Sequence, residues 1–72
     1  MTMQTAMQRL IDVREVMRVT NLSRATIYRR IEREDDDFPR PVKLNGSRRI
    51  VWVEGEVQQW IAEQIEDGRR AC

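Results

Sequence analysis

The side chains best suited to chemistry in this 72-residue chain lie between Leu22 and Arg33, in the run LSRATIYRRIER. Four arginines (Arg24, Arg29, Arg30, Arg33) alternate there with Ser23, Thr26 and Tyr28. A guanidinium presents a rigid fork of donors that matches phosphate oxygens, or two acceptors on a guanine edge. The chemistry expected is therefore polyanion recognition. Catalysis is not expected. The chain has no histidine, its one cysteine is Cys72, and no glycine-rich phosphate loop or carboxylate pair stands outside solvated stretches. The same inventory calls for no metal, no cofactor and no small-molecule substrate.

Recognition side chains need a rigid support, and the flanking residues supply one. Ser23 suits a helix N-cap, because its hydroxyl can accept from a free amide two or three residues on. Ile27 and Ile31 stand four apart and make an inward stripe, with Arg24 and Tyr28 near that side. Ala25, Thr26, Arg29 and Arg33 fall on the opposite side, with Arg30 flanking, and this helix is expected to end near Glu34. Upstream, Asp12 and Glu15 have capping-box spacing, and Val13, Val16 and Met17 recur at helical intervals over 13–19. Thr20-Asn21-Leu22 then turns the chain, Asn21 tolerating a left-handed backbone and Leu22 filling the corner. Two short helices on such a turn make a helix-turn-helix.

Downstream, Asp35-Asp36-Asp37 oppose the dipole at a helix C-terminus, so they read as a stop and a solvated loop. A second reading has them repel DNA from that end and set the docking orientation. Pro39 and Pro41 make 38–41 a stiff connector, with Phe38 as a core plug. Residues 42–53 read as a β-hairpin around Asn45-Gly46-Ser47. A three-residue loop, pairing 44 with 48 and 42 with 50, gathers Val42, Leu44, Ile50 and Trp52 on one face, with Gly46 or a neighbour at positive φ. Lys43, Arg49 and the tip then project outward and Arg48 sits at the rim, so the hairpin is a basic wing. Val57, Trp60, Ile61 and Ile65 mark a third helix over 54–66 with Gly68 as its stop. Trp60 is expected against the wing and the first helix.

The formal net charge of +1 conceals a division. Residues 38–53 hold four Lys/Arg and no acid, whereas 54–72 hold two basic and five acidic residues. One face is thus set toward phosphates. The expected division is a flexible lead at 1–8, a DNA-binding domain at 9–67 and a tail at 68–72. No apolar run has membrane-spanning length and the start lacks a signal peptide's apolar region, so the expected location is the cytoplasm, on the nucleoid.

Four blocks in order, LSRATIYR at 22–29, FPRPVKL at 38–44, IVW at 50–52 and EVQQWI at 56–61, closely resemble the AlpA family of small prophage regulators. The resemblance extends from about Arg9 to Gln64. It implies an α+β winged helix-turn-helix of the MerR/excisionase type and DNA binding tied to a mobile element. Such proteins activate an integrase gene, bend attachment-site DNA as excision directionality factors, or do both. Ser23, Arg24, Thr26, Tyr28 and Arg29 match the recognition-helix motif, and Lys43 and Arg48 match basic wing positions. This chain departs from the family in the longer, more acidic run at 32–37 and in Gly55, where the family often has serine.

On this reading the second helix enters the major groove of double-stranded DNA. Thr26 and Arg29 read bases, Arg24, Arg30 and the Tyr28 hydroxyl take phosphates, and Arg33 extends the same face. Lys43, Asn45, Arg48 and Arg49 of the wing grip the neighbouring backbone or minor groove. Integrase, RNA polymerase and self-association on DNA are the further partners it admits. The rival reading is a protein-interaction module that works through the acidic last helix.

Overall fold

The computed structural model describes residues 8–71. The expected lead over 1–8 lies, but for Gln8, outside them. The elements run β1 (Leu10–Ile11), α1 (Val13–Thr20), α2 (Arg24–Glu32), β2 (Val42–Lys43), β3 (Ile50–Val53) and α3 (Glu54–Ala71). The sheet is antiparallel in the order β1-β3-β2, and the helices make the fold α+β.

Local signals set both helix starts. Asp12 is the N-cap of α1, its Oδ1 accepting from the Glu15 amide at 3.0 Å. The capping box is only half made, because the Glu15 carboxylate is taken by Arg18 instead of reaching back to Asp12. That hydrogen bond holds the Glu15 carboxyl below the usual carboxylate range and raises the Arg18 guanidinium. Asn21 closes α1 at φ 63°, its amide donating to the Met17 carbonyl. Ser23 then caps α2, its hydroxyl accepting from the Thr26 amide at 3.1 Å.

The core consists of Ile11, Val16, Ile27, Phe38, Trp52, Val57 and Trp60, all buried. Ile11 pairs with Trp52 across β1 and β3, so both reach the helices from one face of the sheet. Trp52 is fully buried, and its Nε1 donates to the Pro39 carbonyl at 3.1 Å.

The hairpin register differs from the expected one. Val42 pairs with Val51 and Lys43 with Ile50, which leaves a four-residue connection over 45–48. Lys43, Ile50 and Trp52 therefore share a face, while Val42 lies with Val51 and Val53 on the other, at 40 % exposure. The expected register assumed a hairpin apolar on one side. β3 is instead the central strand, and Val51 is buried on the face away from Trp52. The turn is closed by the Ser47 amide on the Leu44 carbonyl, with Gly46 at φ 75°. Positive φ at the third turn position is the type II requirement, and glycine meets it without strain.

Two helix ends also differ. α2 stops at Glu32, two residues early, because Arg33 is extended. α3 does not stop at Gly68 but runs through it to Ala71. An internal glycine costs a helix only about 1 kcal/mol. Arg69 and Arg70 suit the negative end of the dipole, and Arg70 lies 3.8 Å from both Glu66 and Asp67.

Candidate nucleic-acid interface

The end of α2 and the acidic loop form one hydrogen-bonded unit. Arg40 reaches back from between the two prolines and donates to the carbonyls of Ile31 (2.5 Å), Arg33 (2.6 Å) and Asp36 (3.2 Å). It thus satisfies acceptors that a helix end leaves free, with a positive charge where the dipole is negative. Arg40→Ala is expected to lower stability by about 1 kcal/mol, since these are hydrogen bonds from a charged group in a solvated setting. Urea midpoints of the two proteins measure it, and equal midpoints would refute the capping role.

Asp35, at 84 % side-chain exposure, and Asp37 are exposed as expected, but Asp36 is not. The Asp36 side chain is 10 % exposed; it accepts from the Phe38 amide at 2.9 Å and pairs with Arg30 at 3.3 Å. Asp37 accepts from Trp60 Nε1 at 3.3 Å. Trp60 meets Phe38 edge-on, with centroids 4.9 Å apart, and Arg30 lies 5.5 Å over its ring. Its partners thus include α2 and the loop, while it shares the core cluster with Val16 of α1 and Trp52 of β3. Arg30, expected at a phosphate, is held between a carboxylate and an indole.

The remaining recognition side chains divide between two clefts. One, along the exposed side of α2, is lined by Thr26, Arg29, Arg30 and Arg33 opposite Asp35, Asp36 and Asp37. The other joins the start of α2 to the wing, bringing Arg24 and Tyr28 together with Arg48 and Arg49. Lys43, Asn45 and Arg48 border the hairpin tip. Ser23 is spent on its cap: its hydroxyl bonds the Thr26 amide and also donates to Thr26 Oγ1.

Which cations are free separates this surface from an ordinary solvated one. Arg9, Arg18, Arg30, Arg33, Arg49 and Arg70 each have a carboxylate within 4.0 Å. Among the described residues seven cations pair with none: Arg40, which is spent on backbone carbonyls, Arg69 in the last turn of α3, and Arg14, Arg24, Arg29, Lys43 and Arg48, all five of these exposed. These last five lie on α1, α2 and the hairpin, the elements proper to a helix-turn-helix and its wing. Arg14 and Arg40 escaped the sequence reading. A signal for Arg14 exists: an arginine in a helix's first turn opposes the dipole, a local conflict of the kind functional sites carry. Arg40 offers no such signal.

Residues 9–65 match the profile of a family described as prophage CP4-57 regulatory protein (AlpA). The chain belongs to the AlpA family. It is also 38 % identical over 63 residues to the uncharacterized protein ORF88 of Enterobacteria phage P4, covering 88 % of this chain and 68 % of that protein. No solved structure matches significantly. The span matched to the AlpA family contains α1, α2, the hairpin and most of α3, and so the five exposed cations of α1, α2 and the hairpin. AlpA proteins are phage regulatory proteins, and the expected fold class is met here by three helices on a three-stranded antiparallel sheet, compatible with a winged helix-turn-helix. Among the described residues no helix is long and apolar enough to cross a membrane.

Proposed function

We propose that this AlpA-family protein binds double-stranded DNA of a prophage or genomic island through residues 9–67. It there acts as an excision directionality factor, a regulator of the integrase gene, or both. The observation that carries the reading is the distribution of free cations: of the seven without a carboxylate partner among the described residues, five stand exposed on α1, α2 and the hairpin, while Arg40 caps the end of α2 and Arg69 lies on α3. α2 enters the major groove, with Thr26 and Arg29 at base edges and Arg33 on the same exposed side. Arg24 and Tyr28 take the flanking backbone, while Lys43, Asn45, Arg48 and Arg49 hold the next stretch; such contacts fix register without reading sequence. Arg30 serves as the brace that keeps α2 against Trp60 and the acidic loop. The site of action is the bacterial nucleoid.

Footprinting on DNA spanning the attachment site and the integrase promoter, repeated across salt, tests this. Protected, phased repeats beside the attachment site, with bending, are the expected result for an excision factor. Protection at the promoter alone assigns transcriptional regulation. An unprotected duplex at low salt overturns DNA binding.

One observation supports a second surface for an integrase or RNA polymerase. Ile65 on α3 is 49 % exposed and stands among Glu63, Glu66 and Asp67. Loss of function on replacing Glu56, Glu63 and Glu66, with DNA binding intact, would mark α3 as that surface.

A further inference from the structure

We propose that the cleft between α1, α2 and the wing is a seat for a single DNA backbone phosphate. Arg14 is its third ligand beside Arg24 and Arg48, and the Asp12 carboxylate guards it by holding Arg49. This inference rests on the DNA-binding reading above and adds a residue and a closing step to it.

The cleft is open, about 330 Å³ in volume, and draws its walls from three elements. α1 contributes Asp12 and Arg14, α2 contributes Arg24 and Tyr28, and the hairpin contributes Arg48 and Arg49. Four guanidiniums thus face one carboxylate. The other cleft along α2 sets three arginines against three aspartates, with Arg30 and Arg33 already paired. An oxyanion is therefore drawn to the α1–α2–wing cleft.

The positions of Arg14 and Arg24 carry the argument further. Each stands in the first turn of its helix, where the dipole favours acids and repels a cation. Neither has an ion-pair partner among the described residues. Two separate helix starts thus place an unfavourable charge on the same cleft. A bound phosphate resolves both conflicts, since it satisfies the guanidiniums and suits the positive ends of the helices.

Asp12 supplies the guard. Its Oδ1 is committed to the Glu15 amide, while its Oδ2 lies 3.7 Å from Arg49 Nη2. The pair is partly exposed, at 65 % for Arg49 and 37 % for Asp12, so a phosphate can displace it. When Arg49 turns from carboxylate to phosphate, the wing and the helices grip one group. Before that, the ion pair keeps the wing against α1.

The test measures affinity against salt for wild type, Arg14→Ala, Asp12→Asn and Arg69→Ala, on the duplex the footprint identifies and on a random duplex. Arg69, in the last turn of α3, controls for loss of one positive charge. Arg14→Ala is expected to weaken both duplexes alike and to reduce the slope of log K against log salt by about one. Arg69→Ala leaves the slope unchanged. Asp12→Asn keeps the cap, since asparagine caps as well as aspartate, and is expected to bind more tightly with a steeper slope. Replacing phosphates one at a time by methylphosphonate should reveal one position that weakens wild type and leaves Arg14→Ala unaffected.

Wild-type slope in Arg14→Ala, or equal sensitivity to every methylphosphonate, overturns the seat. Unchanged or weaker binding by Asp12→Asn overturns the guard. If the wild-type protein binds no duplex at low salt, the DNA-binding reading itself has failed, and that outcome is separate from both.

Discussion

Arg29→Ala is expected to weaken binding to the specific duplex by about 1–3 kcal/mol, roughly 5- to 150-fold, and to relax preference at one base pair. The expectation follows from what Arg29 lacks. It is exposed in the middle of α2 and has no carboxylate partner among the described residues, so its fork is free to bridge two acceptors on a base edge. For the same reason its loss should leave the fold alone. Titration of wild type and variant against the specific site, its single-base variants and a random duplex measures both effects. Equal affinity and equal base preference would sink the proposed docking of α2. Lys43→Ala serves as the contrast. A phosphate contact carries no sequence information, so its loss should lower affinity for every duplex in the same proportion.

Trp52→Ala is expected to unfold the domain. Removing a fully buried aromatic ring costs about 3–5 kcal/mol through lost burial and the cavity left behind. A core of this size supplies no more than about 3–5 kcal/mol unaided, so the substitution consumes most of the stability. The side chain also ties the connector to the sheet, through its Nε1 bond to the Pro39 carbonyl. Trp52→Phe keeps a ring but loses that bond, and its loss should fall between wild type and Trp52→Ala. Far-ultraviolet circular dichroism during heating separates the three. A cooperative transition in Trp52→Ala near the wild-type midpoint would refute the central role given to this residue.

The two largest effects rest on residues of different legibility. Arg29 was readable because it stands six positions after the Ser23 cap and three after Thr26, in a helix that the chain specifies locally: Ser23 and the Ile27/Ile31 stripe define the helix and its outer side. Trp52 was readable as core, but not through its partners. The expected hairpin grouped it with Val42, Leu44 and Ile50, whereas the register keeps Ile50 and sets Lys43 and Ile11 on that face in place of Val42 and Leu44. The error came from β3 being central, with β1 on its other edge. Nothing in residues 42–53 announces the strand that will pair from position 10.

The amino-acid sequence by itself determined the features whose partners lie within a few residues. These are the caps at Asp12 and Ser23, the left-handed turn at Asn21, the turn glycine at Gly46 and the inward stripes of α1 and α2; the stripe expected on α3 fails at Ile65, which is exposed. Each satisfies a backbone group or a φ requirement that exists before the chain has folded. Tertiary structure alone decided where the long polar side chains ended: Arg40 on the carbonyls of α2, Arg30 between Asp36 and Trp60, and Asp37 on the indole of Trp60. It also decided that Arg14 shares a cleft with Arg24 and Arg48. A guanidinium on a flexible stem reaches whichever acceptor packing brings near, and that acceptor is chosen by elements distant in sequence. Composition therefore revealed that the chain is rich in arginine, while only the fold decided which arginines remain free.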